Sequence, residues 1–386
     1  MLLMEICDVF SGYAFKSFND DKNGTPVIKI GNINADGTID IENCQYTAEN
    51  PNTKFWSRKG DLYIALSGAT TGKIGLIQKD GYLINQRVGV VRIHNEQIPV
   101  DYLLYFLKSK TNKILHDAVG SAQPNISPKD ISKYEFVVKS KEEMLRISSE
   151  LNLIVDLIKQ LQIKLKNYDD VIKSRFIELF GDVNTNSRDF KVYKIGTQFE
   201  LGAGGTPKTN VPAYWENGTI SWIGSNMCQD AVIYKNDGKF ITEEGFRNSS
   251  TKILKPETVL VALVGATIGK TALLKFETTT NQNVLGIWNI VEAGYNPYFV
   301  FYYMQSIYHK FVELGDNSFK MASKAFVSEL DILKPDIELQ NDFADFVELI
   351  DKSKFVIQQQ IKDLEELLDK KMDEYFGGWE VWILNF

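Results

Sequence analysis

Histidine and cysteine are scarce in this sequence, and their scarcity removes whole classes of chemistry. His94, His116 and His309 stand far apart, so no histidine-based metal cluster is expected. Cys7, Cys44 and Cys228 are odd in number and lack metal-ligand spacing, which predicts free thiols and a reducing compartment. No run reaches the roughly 18 apolar residues that a membrane span needs. The opening Met1-Leu2-Leu3-Met4-Glu5 is short and lacks the basic start of a secretory signal, so a cytoplasmic protein without membrane contact is expected. Positive charge is also in deficit: 43 Lys and Arg face 50 Asp and Glu, for a net charge of −7. That argues against coating nucleic acid by bulk electrostatics. A binder that gathers its basic residues on one face, or shares phosphate contacts with partners, remains compatible with it.

Signatures of catalysis are missing too. There is no Ser/His/Asp or Cys/His set, and no carboxylate cluster with a Glu-x-Lys core of nuclease type. The Gly-Ala-Thr-x-Gly-Lys stretches have three residues between their glycines where a phosphate-binding P-loop needs four, and Lys73 is followed by Ile74. Asn296-Pro297-Tyr298-Phe299 faintly resembles an adenine-methyltransferase motif, but it lacks the second proline and a cofactor domain before it. No catalytic residue and no metal ligand is assigned.

What the chain does contain is itself, twice. Gly68-Ala69-Thr70-Thr71-Gly72-Lys73 returns 197 residues later as Gly265-Ala266-Thr267-Ile268-Gly269-Lys270. Asn85-Gln86 returns 196 residues later as Asn281-Gln282, Ser127 as Ser323, and Phe180-Gly181 as Phe376-Gly377. A period this long exceeds the roughly 20–50 residues of a solenoid unit. It marks a duplicated domain with its connector, and hence a protein that reads two sites at a fixed separation.

Residues 1–140 carry short β-type runs broken by Asn, Asp and Gly: 27–30, 33–35, 61–66 and 88–93. A short helix is expected at 102–107. From Met144 the period changes. Apolar residues fall at Met144, Ile147, Leu151, Ile154, Ile158, Leu161, Leu165, Tyr168, Ile172, Phe176 and Leu179, a heptad seam that Gly181 ends. Residues 182–336 repeat the β-rich plan, with a helix expected over Tyr298–Lys310. A second seam runs from Phe343 through Val347, Ile350, Ile357, Ile361, Leu364 and Leu368 to Tyr375, interrupted by Lys354 and Lys371. Helices of 35–40 residues would be roughly 55–60 Å long, and each must bury its stripe. The other copy is the simplest partner, in an antiparallel pair. The seam could instead face a second polypeptide. The tail 379–386 (Trp379-Glu-Val-Trp-Ile-Leu384) looks like 188–195, and is expected either to complete the first domain with an edge strand or to fray.

The remaining signal is a set of polar turn residues that occurs in both copies. The first domain offers Tyr13, Phe15, Lys16, Lys29, Asn32, Thr70, Thr71, Lys73, Asn85, Gln86, Arg87, Gln123 and Asn125. The second offers Gly205, Thr206, Lys208, Ser225, Asn226, Thr267, Lys270, Asn281, Gln282, Asn283, Ser318, Lys320 and Lys324. Asn, Gln, Arg and Lys pair with purine edges in the major groove, and Ser and Thr add flexible contacts. For the lysines of the glycine loops, a phosphate contact and a solvated hairpin lysine are both open readings. Any single position is more often an ordinary turn residue; the weight lies in the matching sets.

On these residues the chain resembles the specificity subunit of a Type I restriction-modification system. The paired Gly-Ala-Thr-x-Gly-Lys loops, the Asn-Gln pairs, the Phe-Gly helix ends and Tyr214-Trp215…Gly218…Ile220-Ser-Trp222 carry the likeness over nearly the whole length. The first domain departs from it, beginning late and lacking an equivalent tryptophan pair. The resemblance implies an α+β fold with a pseudo-twofold internal repeat. Two target recognition domains (1–140 and 182–336) are joined by helices 141–181 and 337–378 in an antiparallel coiled coil. It implies that each domain reads half of a split sequence in double-stranded DNA through the major groove. The helices would set the spacer and dock two methyltransferase subunits. S-adenosylmethionine would arrive with those subunits, and ATP with Mg with nuclease-translocase subunits; this chain would bind no cofactor itself. A rod of roughly 55 Å corresponds to about 16 base pairs. The competing expectations are a coiled-coil protein scaffold without DNA specificity and a complete enzyme such as a fused methyltransferase.

Overall fold

The computed structural model describes residues 1–19, 22–118, 125–314 and 321–377. Gln123, Ser318, Lys320 and the 379–386 tail therefore lie outside the described residues. The chain divides into two compact units, Met1–Ile163 with the stretch from Gln358, and Lys164–Ile357. The expected helical segments 141–181 and 337–378 are thus distributed over both units. Each long helix is shared between the units, because a lone stripe has no core of its own and packs on the nearest β-domain.

In the first unit a sheet places strands in the order 7–11, 88–93, 62–65, 74–76, with every neighbour antiparallel. A smaller sheet has Thr25–Ile28 antiparallel to Gln45–Thr47 and parallel to Leu83–Ile84. All four residues of Leu62–Ala65 are buried. Their alternation sends Leu62 and Ile64 into one core and Tyr63 and Ala65 into another. The first core takes in the helix Val100–Ser109 and part of the long helices; the second lies toward the smaller sheet.

The second unit repeats the plan. Its sheet runs 200–203, 284–288, 259–262, 271–274, with an added strand Ala231–Ile233 parallel to the last. The smaller sheet pairs Ile220–Ile223 with Phe240–Ile241 and, in parallel, with Thr279–Thr280. Val259 and Val261 face one core, Leu260 and Ala262 the other. Lys191–Lys194 pairs with Asp331–Lys334. Two local expectations are corrected. Ile33–Ala35 forms no strand; Ile33 makes a lone bridge to Ile39 around a turn in which Gly37 has φ of +88°. The helix expected over 298–310 is two, Pro297–Ser306 and His309–Val312.

The long helices span Lys141–Phe180 and Ile337–Phe376, 40 residues each. Gly181 (φ +70°) and Gly377 (φ +63°) close them in the left-handed conformation open to glycine. In the first unit Met144, Ile147, Leu151, Ile154 and Ile158 share a core with Leu368 and Met372. Arg146 lies over the Tyr375 ring, while Glu150 accepts from the Tyr375 hydroxyl at 2.7 Å and pairs with Lys371 at 3.2 Å. In the second, Phe180 and Phe176 meet Phe343, Arg175 lies over Phe346, and Asp169 pairs with Lys354. In both, one helix ascends as the other descends. Lys354 and Lys371, the two breaks in the second seam, are thus cross-helix ion-pair positions.

Two outcomes follow from this packing. Phe180 is fully buried, with ring centroids 4.7 Å from Phe299 and 4.8 Å from Phe176. Phe180→Ala is expected to cost about 3–5 kcal/mol in denaturant unfolding. Asp351 carries a buried Oδ2 with no partner among the described residues. Burial raises its carboxyl pKa, Asp169 and Glu348 add to the rise, and Lys354 and Lys275 oppose it. The folded state therefore holds this proton more tightly than the unfolded chain, and the ionised group destabilises above its folded-state pKa. Asp351→Asn is expected to raise the melting temperature at neutral pH, with the gain shrinking on acidification; a lower melting temperature at neutral pH would contradict this.

Candidate nucleic-acid interface

In the first unit the sequence-predicted residues converge because four strands end on the same side. Gly12–Lys16 follows strand 7–11, Lys29–Asn32 follows 25–28, the glycine loop follows 62–65, and Asn85–Arg87 follows 83–84. Backbone hydrogen bonds sew these loops together. Tyr13 N donates to Ile84 O (2.8 Å), Gln86 N to Tyr13 O (2.9 Å), Asn85 N to Ile28 O (3.0 Å) and Leu66 N to Arg87 O (3.0 Å). A fifth loop joins through the Ser67–Asn125 bridge and Ile126 N to Leu66 O. Gly12 allows the close approach: a Cβ there would lie 2.2 Å from Ile84 O. The glycine loop is one 3₁₀ turn, Gly68–Thr70, entered and left through Gly68 (φ +80°) and Gly72 (φ +83°).

The second unit reproduces the pattern. Gly205 N donates to Thr280 O (2.8 Å), Asn281 N to Ile223 O (3.1 Å), Leu263 N to Asn283 O (2.8 Å) and Ala322 N to Leu263 O (2.8 Å). Its glycine loop is the same turn, Gly265–Thr267. Ser225–Met227 forms a 3₁₀ turn matching Ile30–Asn32. The loop Gly204–Lys208 is clamped by two indoles at right angles: Trp215 Nε1 donates to Lys208 O and Trp222 Nε1 to Gly205 O. The first unit lacks this tryptophan pair. There Tyr13 packs on Phe15 (5.1 Å) and on Phe55 (5.4 Å). The segment holding Phe55 is anchored by Arg92, which forms a bidentate pair with buried Asp61 and donates to Lys54 O and Trp56 O.

Presentation differs residue by residue. Lys16, Gln86, Arg87, Asn125, Lys208, Asn226, Gln282 and Lys324 are exposed. Tyr13, Phe15, Lys29, Thr70, Lys73, Thr206, Ser225, Thr267, Lys270, Asn281 and Asn283 are half-buried at the same ends, as is Asn85. Asn85 and Asn281 use Oδ1 to accept from the backbone N–H two residues on, so they shape the turn while the following glutamine stands at its tip. Three of the expected residues are turned inward. Asn32 is buried, its amide spent on Asp40 O and Asn43 O. Thr71 is buried and its hydroxyl bonds Gly68 O. Gly205 is buried, where a Cβ would meet Ser250 Oγ at 2.4 Å. Two participants were missed. Lys29 lies over the Phe18 ring, and Lys270 donates to Gln229 Oε1 at 3.4 Å. The alternation of lysine with aromatics in 15–18 and 54–56 was the available signal for the first; nothing in the local pattern signals Gln229.

Among the described residues no group of three or more His, Cys, Asp or Glu side chains could hold a metal ion, and no helix is long and apolar enough to cross a membrane. Cys7, Cys44 and Cys228 are buried, and burial pushes their thiols well above the ordinary range, Cys44 to about 11.

The family model of the Type I restriction modification DNA specificity domain matches residues 1–167 and 187–366. The specificity subunit of the Type I restriction enzyme MjaIX from Methanocaldococcus jannaschii is 29% identical over 205 residues, which are 51% of this chain and 45% of that protein. The EcoR124I/EcoR124II specificity subunit from Escherichia coli is 28% identical over 152 residues, 38% of this chain and 37% of that one. These matched stretches thus span less than half of each curated relative. The fold matches that of the S subunit of a Type I restriction-modification system from M. genitalium (TM-score 0.56, 14% identity, 98% and 95% of the two chains). It also matches a chain from work on complex assembly and conformational transition of the type I R-M system (TM-score 0.57, 16% identity, 98% and 97%). With the family pattern matched in both halves, the chain belongs to the Type I restriction-modification DNA specificity family.

Proposed function

We propose that this chain is the non-catalytic DNA-reading subunit of a Type I restriction-modification complex, recognising a bipartite duplex sequence with one half-site per unit. The observation that carries the reading is the recurrence, in both units, of the same five loops sewn to the same strand ends. Exposed Gln, Asn, Arg and Lys on them have the donors and acceptors that discriminate base pairs in a major groove. With a net charge of −7 for the whole chain, each half-site alone would be held weakly. Linking two weak readers on one duplex gives the second an effective concentration that multiplies affinity without new contacts. A scaffold that binds only protein gives no reason for the exposed glutamines at the tips of both turns, Gln86 and Gln282.

The two 40-residue helices, each roughly 60 Å long, are of a length to set the spacer between half-sites. Their outer faces are the proposed docking ground for two methyltransferase subunits. Those subunits would bring S-adenosylmethionine; nuclease-translocase subunits would bring ATP and Mg. The acidic total charge is compatible with partners that supply part of the phosphate contacts. The proposed setting is the cytoplasm.

Two experiments test this. Exchanging residues 196–335 for those of another family member should change one half-site of the methylated sequence and leave the other intact; a change in both halves would contradict one domain per half-site. Removing seven residues from each long helix, in register, should shorten the spacer by about 3 base pairs, since seven residues rise roughly 10 Å. Unchanged spacing in methylation-site mapping would count against a helical ruler.

A further inference from the structure

The glutamine at the tip of the Asn-Gln turn is held differently in the two units. In the first, the backbone of Gln86 is tied down by its N–H donating to Tyr13 O. Its side chain is exposed and takes no hydrogen bond from a described residue. In the second unit the matching carbonyl, Gly205 O, accepts from the Trp222 indole. There it is the side chain of Gln282 that is tied, its Oε1 accepting from the Thr206 hydroxyl. The corresponding bonds Tyr13 N to Ile84 O and Gly205 N to Thr280 O put Ala14 in the place of Thr206. The first unit therefore has no hydroxyl to offer Gln86 at that position.

We propose that Thr206 is a positioning residue for sequence reading by the second unit: its hydroxyl fixes the amide of Gln282 before DNA arrives, whereas Gln86 must be ordered on binding. This rests on the reading of the chain as a DNA-recognition subunit and adds a difference between its halves. The chemistry is specific. With Oε1 engaged by Thr206, the Nε2–H₂ group is the free donor edge of Gln282. An amide held in one rotamer discriminates its base pair more sharply than one that can rotate to suit several. Freezing a rotamer-rich side chain on binding costs roughly three- to tenfold in affinity, and that is the scale of discrimination Thr206 supplies.

The test selects duplex DNA from a random-insert pool with the full chain and its methyltransferase subunits, using wild type, Thr206→Val, Thr206→Ser, Gln282→Ala and the Thr206→Val/Gln282→Ala double variant. Thr206→Val keeps the shape and removes the hydroxyl. It should reduce preference at one base pair of the second half-site by roughly three- to tenfold, leave the first half-site unchanged, and be rescued by Thr206→Ser. In the Gln282→Ala background it should add nothing, an outcome that a merely structural threonine would not give. The proposal is overturned if Thr206→Val leaves every base frequency as in wild type, weakens the second half-site evenly, or acts as strongly without Gln282 as with it. Enrichment of no two-block sequence by the wild type would overturn the underlying reading as well; a normal wild-type motif with an inert Thr206→Val would overturn this inference alone.

Discussion

Two 40-residue helices carry an apolar stripe that cannot stay in water, and each compact unit is built around burying part of it. In one unit the stripe residues Met144, Ile147 and Leu151 join the core under the sheet; in the other Phe176, Phe180 and Phe343 do. The β-domains are thereby fastened to the helices through continuous hydrophobic cores rather than through linkers. Ion pairs fix the register in each: Glu150 with Lys371, Asp169 with Lys354. Both are partly exposed and add little stability of their own. Their value lies in opposing any slide of one helix along the other.

That fastening fixes the sheets, and the sheets fix the loops proposed to read DNA. The central strands are buried on both faces, so their ends are held by two cores at once. Loops leaving such strands need only a few backbone bonds to be held in place, and the glycines at 12 and 204 let those bonds form at contact distance. The side chains proposed to read DNA are then exposed and carried by a stiff frame, the division of labour expected of recognition loops.

Much of this was legible in the sequence, for identifiable reasons. The heptads of 144–179 and 343–375 follow from periodicity, and the duplicated glycine loops from a motif that needs positive φ at Gly68, Gly72, Gly265 and Gly269. The strand-end polar residues were found because two copies could be compared. What escaped lay outside the local pattern. Asn32 looks like a reader, but the 40–43 segment folds back to use its amide. Lys354 and Lys371 look like faults in a seam until the opposite helix supplies Asp169 and Glu150. The break near Ile307–Tyr308 has no glycine or proline to announce it. Gln86 and Gln282 each follow an asparagine and stand two residues before a valine, yet Ala14 and Thr206, more than 70 residues away in the chain, give them different freedom.

The claim that a duplicated surface reads one duplex at two places is tested most directly by sequencing the DNA that the assembled protein selects from a random pool. A bipartite reader predicts two short blocks of fixed sequence separated by a constant number of unselected base pairs. A single continuous block, two blocks at variable spacing, or no enrichment would contradict it.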